Sequence, residues 1–382
     1  MINRRGRPCA GSPTKTRPME AVVVDAVVVG AGPAGCSAAI VLAEAGWRVV
    51  VFGRPTPVGD RIGESLSPSA PALLDRLGLR SRFLDDGHLL CHANASLWGG
   101  RELAWHDFLG DPRGAGFHID RARFDALLRA RAAEAGADLV ASDAPRGIAR
   151  EAGTWRLAAT RTHPAVVARY LVDASGRAAR LGHALGARRA VAWDQVALVA
   201  FVRSPRAIDE TFTLTEAVPE GFWYSAPIPG QRFALALFTD AVLHDAGTVR
   251  SAGGFRALLA AATQTRRRLD AHGAVLDTPP RFVGAGSGWL EPAYGPGWAA
   301  AGDAAITYDP ISAHGLTLAL RTGIDVATAV LATAAGDATA LHRYGARLAS
   351  AFHNYRREAL RVYRGEQRWP AAPYWKRRHA LL

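Results

Sequence analysis

Asp25-Ala-Val-Val-Val-Gly30-Ala-Gly32-Pro-Ala-Gly35 decides the fold. An apolar strand of the buried type runs into Gly30-x-Gly32-x-x-Gly35, a helix follows through about Ala45, and a second apolar strand covers Trp47–Phe52. This is the start of a βαβ unit. Each glycine has its own physical reason. Gly30 permits the tight turn, Gly32 lets the backbone approach a pyrophosphate, and Gly35 lets helix and sheet pack closely. The helix N-terminus supplies amides and partial positive charge. A carboxylate for the adenosine ribose is expected about twenty residues on, at the end of the second strand. The chain reads Phe52-Gly53-Arg54 there. Either Arg54 suits a 2′-phosphate and the ligand is NADP, or the ribose is held another way.

The whole chain has 382 residues, 49% hydrophobic and 21% charged, which exceeds what one core usually serves, so two domains are expected. Cysteine occurs only at Cys9, Cys36 and Cys91, which excludes a CxxC site and a disulfide framework and fits a reducing, cytoplasmic compartment. Ala26–Ala43 is uncharged but glycine-interrupted, and Cys9–Glu20 is polar where an export signal needs an apolar run; neither a membrane span nor a signal is expected. The net charge of +12 looks like a nucleic-acid footprint until it is located. Residues 1–20 carry +4 and residues 356–379 carry +6, so the body between them is nearly neutral. No nucleic-acid partner is expected, and residues 1–20 read as a disordered basic tail.

Further along, helical spacing covers 66–79, Ile119 to Ala135, 252–270, 315–334 and 338–366, while 190–240 alternates as half-buried antiparallel strands do. A second motif stands far from the first: Trp298-Ala-Ala-Ala-Gly302-Asp303, then Asp309-Pro310-Ile-Ser312-Ala-His314-Gly315. An aspartate at such a strand end accepts hydrogen bonds from a polyol, and the next helix aims its N-terminal amides at an anion forming on a ring. With this pair of motifs the chain resembles FAD-binding proteins of the para-hydroxybenzoate hydroxylase and flavin-dependent halogenase superfamily. That resemblance implies FAD rather than NADP, with Gly302 and Asp303 on the ribityl chain and Pro310 and Gly315 against the isoalloxazine ring.

Three more stretches fit the same resemblance: Gly63-Glu64-Ser65, Arg121 as the arginine near the FAD phosphates, and Asp173-Ala-Ser-Gly176 in place of an Asp-Gly motif. Taken singly, Glu64 reads as a helix-start carboxylate, Arg121 as a surface ion pair and Asp173 as a turn former. Halogenases of the group carry a catalytic lysine, whereas lysine occurs here only at Lys15 and Lys376, so halogenation is disfavoured. The C-terminal Tyr363…Trp369-Pro370…Tyr374-Trp375-Lys376 is similar to the tail of flavoproteins that mature tryptophan-derived quinone cofactors. The resemblance therefore implies hydroxylation of a peptidyl tryptophan, using O₂ and a reductant (NAD(P)H or a flavin reductase), with a protein or peptide substrate docking at the basic tail. A small aromatic substrate, a geranylgeranyl-reductase-like flavin oxidoreductase and a non-catalytic assembly partner stay open. His314 and Tyr224 are the candidates to face the reacting ring, with Pro310 beside them, imidazole being a residue type that general acid/base work uses. The histidines share no metal-ligand spacing, so no metal is expected.

The fold class expected is α/β. An FAD-binding Rossmann-like domain of the glutathione-reductase type takes residues 21–80, 113–182 and 282–335. An interleaved antiparallel β-sheet substrate domain takes 81–112 and 183–281, and a C-terminal helical basic tail takes 336–382.

Overall fold

The structure, a computed structural model, describes residues 21–54, 61–145, 147–160, 163–244, 246–249 and 251–381. The expected basic tail over 1–20 lies outside the described residues. The quoted segment forms strand β1 (Val22–Val29), helix α1 (Pro33–Glu44) and strand β2 (Val49–Phe52). Helix α2 (Arg121–Glu134) follows, its amides capped by the Asp120 carboxylate, which accepts from Ala122 N at 2.8 Å and Arg123 N at 3.1 Å. With strands β3 (Asp138–Val140), β4 (Val166–Asp173) and β5 (Trp298–Ala300), β1 and β2 make the parallel part of an eight-stranded sheet, in the order β5-β4-β1-β2-β3. The register aligns Val29 with Phe52 and Asp173, Phe52 with Val140, and Asp173 with Ala300, so all five strands end along one edge. Open parallel sheets bind ligands at this carboxyl edge.

Helix α1 is buried on every side from Ala34 to Ala43, as a helix between a sheet and a second helix layer must be. Helix α3 (Gly315–Ala334) crosses it at backbone contact: a Cβ on Gly323 would lie 2.2 Å from the Ala34 carbonyl oxygen. Helix α3 is long and apolar enough by composition to cross a membrane, but Leu316, Leu320, Val326 and Val330 are buried in the protein core. Cys36 and Cys91 are buried free thiols.

A second sheet is mostly antiparallel, with Val196–Arg203, Arg232–Thr239, Gly221–Ile228 and Phe212–Val218 adjacent in that order. Ala93–Leu97 joins Phe212–Val218 in parallel. The helix expected over 252–270 is two helices, Ala252–Leu259 and Thr263–His272. The Glu216 carboxylate, reaching from the sheet, accepts from Gln264 N at 3.0 Å and Thr265 N at 2.7 Å and so starts a new N-terminus. Similarly, the helix expected from residue 66 begins at Ala70, because Ser65 and Leu66 pair with His118 and Phe117 as a short strand.

Helices α4 (Ala340–Gly365) and α5 (Pro373–His379) close the chain. Two aromatics of the tail, Tyr374 and Trp375, are not at the surface, while Trp369 is half-buried. Tyr374 and Trp375 are fully buried, the Trp375 indole donating to the Val218 carbonyl at 2.8 Å, and Arg378 donates to Asp240 at 2.8 Å. Aromatic area stabilises far more inside than in water, so these rings pack on the body, while Arg356, Arg357, Arg361, Arg364, Lys376 and Arg377 stay exposed.

Candidate active site

A cavity of about 590 Å³ opens along the carboxyl edge of the parallel sheet and extends to the inner face of the second sheet. Of the residues singled out from sequence, Gly30, Gly32, Arg54, Glu64, Arg121, Tyr224, Asp303, Pro310 and Gly315 line it together. Gly35 and Gly302 lie beneath. A Cβ on Gly35 would be 1.7 Å from the Gly30 carbonyl oxygen, and one on Gly302 would be 2.8 Å from Ala34 Cβ. Two expectations are corrected. Asp173 is fully buried, and its carboxylate accepts from Ser175 N at 2.9 Å and Gly182 N at 2.7 Å; it shapes the turn whose next residues, Ala174 to Arg177, line the cavity. His314 is exposed outside the cavity lining: at the N-cap of α3 its ring nitrogen is turned back to the Ser312 carbonyl, while Pro310 and Ala313 before it and Gly315 after it face inward.

At one end the lining suits a diphosphate. Gly32 is the N-cap of α1 and makes no side-chain cap, so the first amides of the helix face open space, and a Cβ on Gly32 would meet nothing within 4 Å. Arginines surround this end. Arg129 donates to the Ala31 carbonyl at 3.0 Å, Arg61 pairs with Asp125 at 2.9 Å, and Arg121 donates to the Ile62 and Gly63 carbonyls at 2.7 and 3.1 Å. Arg121 thereby also fixes the Gly63 turn, whose φ of +96° favours glycine. Asp303 meets Arg177 at 3.4 Å and keeps its carboxylate at the cavity wall, placed to accept from a polyol. Gly315, the first residue of α3, likewise leaves open space beyond its Cα. Helix amides at both ends, guanidinium groups at one and a carboxylate between fit the phosphates, ring and ribityl chain of FAD. Sequence reasoning missed Arg61, Arg129, Arg177 and Tyr308, all in the lining. Arg129 had a readable signal, standing two helical turns after Arg121 on the same face of α2.

Elsewhere the lining is aromatic and apolar at Phe238, Val283, Ala285 and Tyr308, and beside the Gly63 turn it carries a polar cluster of Glu64, Ser65 and Tyr224. Tyr308 stacks on Tyr355 with ring centroids 4.0 Å apart, and burial pushes its hydroxyl up to about 12. The Tyr224 and Ser65 hydroxyls are 2.7 Å apart. Burial raises the Glu64 carboxyl above its ordinary value, opposed by hydrogen bonds from Tyr224 and Gly63 N and by the Arg121 charge. Burial also drives the Tyr224 hydroxyl well up, so in this cluster Tyr224 stays protonated and donates.

Comparison with known proteins agrees with a flavoprotein fold. The FAD-dependent oxidoreductase LodB of Marinomonas mediterranea is 29% identical over 372 residues, covering 94% of this chain and 97% of LodB. Among solved structures, the myxobacterial chondrochloren halogenase CndH superposes with a TM-score of 0.81 at 23% identity, over 94% of this chain and 86% of that one. The peptidyl tryptophan dihydroxylase QhpG, essential for tryptophylquinone cofactor biogenesis, superposes with a TM-score of 0.71 at 22% identity, over 94% and 79%. The family model described as FAD binding domain matches residues 23–230. An FAD-dependent oxidoreductase built on this edge, the chain belongs to the FAD binding domain family.

Proposed function

We propose that the chain is a monooxygenase that hydroxylates an electron-rich aromatic ring, with a tryptophan side chain of a partner protein as substrate. The observation that carries this reading is near full-length similarity to LodB together with the fold of QhpG, whose substrate is a peptidyl tryptophan. Aromatic and apolar walls at Phe238, Val283, Ala285 and Tyr308, with Glu64, Ser65 and Tyr224 as polar groups, are a suitable recess for one flat ring. When bound and reduced, FAD supplies the activation of O₂. In the overall reaction Ar–H, O₂, two electrons and two protons give Ar–OH and water, the electrons coming from NAD(P)H or a flavin reductase. Arg61, Arg121 and Arg129 hold the diphosphate and Asp303 the ribityl chain. The loop at Pro310 and the Phe238 and Tyr308 rings keep water from the reacting face. Glu64 accepts the ring proton through the Tyr224 hydroxyl, burial having raised its carboxyl above the ordinary value.

Halogenation is the competing chemistry, given the likeness to CndH. Lys376 lies exposed on α5 and no lysine lines the cavity among the described residues. The test supplies reductant, ¹⁸O₂ and chloride to the purified enzyme with the proteins whose genes neighbour its own. Mass spectrometry of their tryptophan peptides should show added ¹⁸O and no chlorine. Oxygen entering only a small phenol such as 4-hydroxybenzoate, or chlorine entering any ring, overturns the reading.

A further inference from the structure

We propose that Asp143 is the carboxylate that holds the adenosine ribose of FAD, replacing the acidic residue absent from the end of β2. In dinucleotide folds that acid stands at the strand end facing the glycine turn. Here the position is closed: a Cβ on Gly53 would lie 2.3 Å from Ala31 Cβ and 2.9 Å from Ala31 N, so this strand end packs directly against the glycine turn. Arg54, the next residue, is a cation and cannot accept a hydrogen bond.

The adjacent strand supplies what is missing. Strand β3 pairs in parallel with β2, Val140 beside Phe52, and Gly53 N donates to the Val140 carbonyl at 3.0 Å. The chain leaving β3 as Ser142-Asp143 therefore runs beside Gly53-Arg54, and both residues line the same cavity as Gly30 and Gly32. Arg180 donates to Asp143 Oδ1 at 2.7 Å, and Arg54 Nε lies 3.3 Å from the same oxygen. Both guanidinium groups meet Oδ1. Among the described residues Oδ2 has no hydrogen-bond partner, and the side chain is 56% exposed. A carboxylate fixed through one oxygen with the other open at the cavity is placed to accept from a sugar hydroxyl. The same negative charge repels a 2′-phosphate and occupies Arg54, the group that would otherwise have welcomed one. Asp143 thus selects an unphosphorylated ribose.

The test titrates FAD-free protein with FAD and with an FAD analogue whose adenosine carries 2′,3′-dideoxyribose, reading flavin fluorescence. The wild type should bind FAD about tenfold tighter than the analogue, the size of one charged hydrogen bond. Asp143→Ala should weaken FAD by about the same factor and bind the two ligands alike, with an unchanged melting temperature in the FAD-free form showing that it folds. The proposal is overturned if the wild type binds both ligands equally, or if Asp143→Ala leaves FAD affinity unchanged. It is equally overturned if the variant weakens both ligands by one factor, since Asp143 would then only tether Arg54 and Arg180.

Discussion

A methyl group at Gly35 would sit 1.7 Å from the Gly30 carbonyl oxygen, one at Gly30 would sit 2.1 Å from that of Ala174, and one at Gly32 would touch nothing within 4 Å. The three glycines of one turn therefore fail differently. Gly35→Ala forces strand and helix apart and should lower the stability of the FAD-free protein by about 1–3 kcal/mol or more, read by urea unfolding. Gly32→Val should leave that stability nearly unchanged while the protein purifies colourless, because its side chain fills the space that the diphosphate needs. A yellow Gly32→Val protein would mean that the turn does not face the cofactor. Glu64 makes the matching case for charge. Burial raises its carboxyl above the ordinary 4.5, so the folded state holds this proton more tightly than the unfolded state. Stability from this group is complete below about 4.5 and is lost as pH rises through the raised value. Glu64→Gln should therefore raise the melting temperature of FAD-free protein at pH 7 and give little gain at pH 4. An equal difference at both pH values would show that Glu64 titrates alike folded and unfolded. The glycine spacing was legible because it is local. The fate of Asp173 and His314 was not, because each carries the right chemistry but points where its own turn or helix end requires.

The loop from Tyr308 to Gly315 is positioned by an element far away in sequence. The fully buried Asp309 carboxylate accepts from Trp193 Nε1 at 2.8 Å, the Tyr363 hydroxyl at 2.6 Å and its own Ile311 N at 3.0 Å, while Asp309 N donates to the Tyr355 hydroxyl at 2.6 Å. Tyr355 and Tyr363 lie on the stripe of α4 that also buries Tyr344, Leu348, Phe352 and Ala359. That stripe is plain in the sequence as a helical repeat, and α3 and α4 lie within two residues of their expected ends. The bond from Tyr363 to Asp309 is not legible, since periodicity tells which face is buried and not what it meets 54 residues away. The break between Ala252–Leu259 and Thr263–His272 was hidden for the same reason, its cap coming from Glu216 in another sheet. Tyr363→Phe and Trp193→Phe should each cost about 1–3 kcal/mol by leaving the buried carboxylate short of a donor. Both donors share Asp309 Oδ2, so the double variant should depart from additivity by at least about 0.5 kcal/mol in urea unfolding. Strict additivity would show that the two rings hold the loop independently.

Across the whole molecule, the C-terminal segment is built into the second sheet's side of the fold rather than hanging from it. Trp375 reaches the Val218 carbonyl in the second sheet, and Tyr374 donates to Gln195 at 2.8 Å. Arg378 links Gln195 to Asp240 at 2.9 and 2.8 Å, and the buried Glu366 carboxylate receives Gly99 N at 2.8 Å. Removing residues 366–382 deletes two fully buried aromatic rings, each worth about 3–5 kcal/mol, from a fold whose total stability is of order 5–15 kcal/mol. Truncation should therefore lower the melting temperature and the flavin content together, because the loop at Asp309 loses the packing behind Tyr363. The charges of this segment separate from its packing. Arg357, Arg361 and Arg364 are exposed, so changing all three to Gln should leave melting temperature and bound flavin unchanged. If they steer an acidic partner protein, the triple variant should slow hydroxylation of that partner at low salt and match the wild type near 0.5 M salt, where exposed charges are screened within about 5 Å. A triple variant that reacts at the wild-type rate at every salt concentration would leave the segment a strap only.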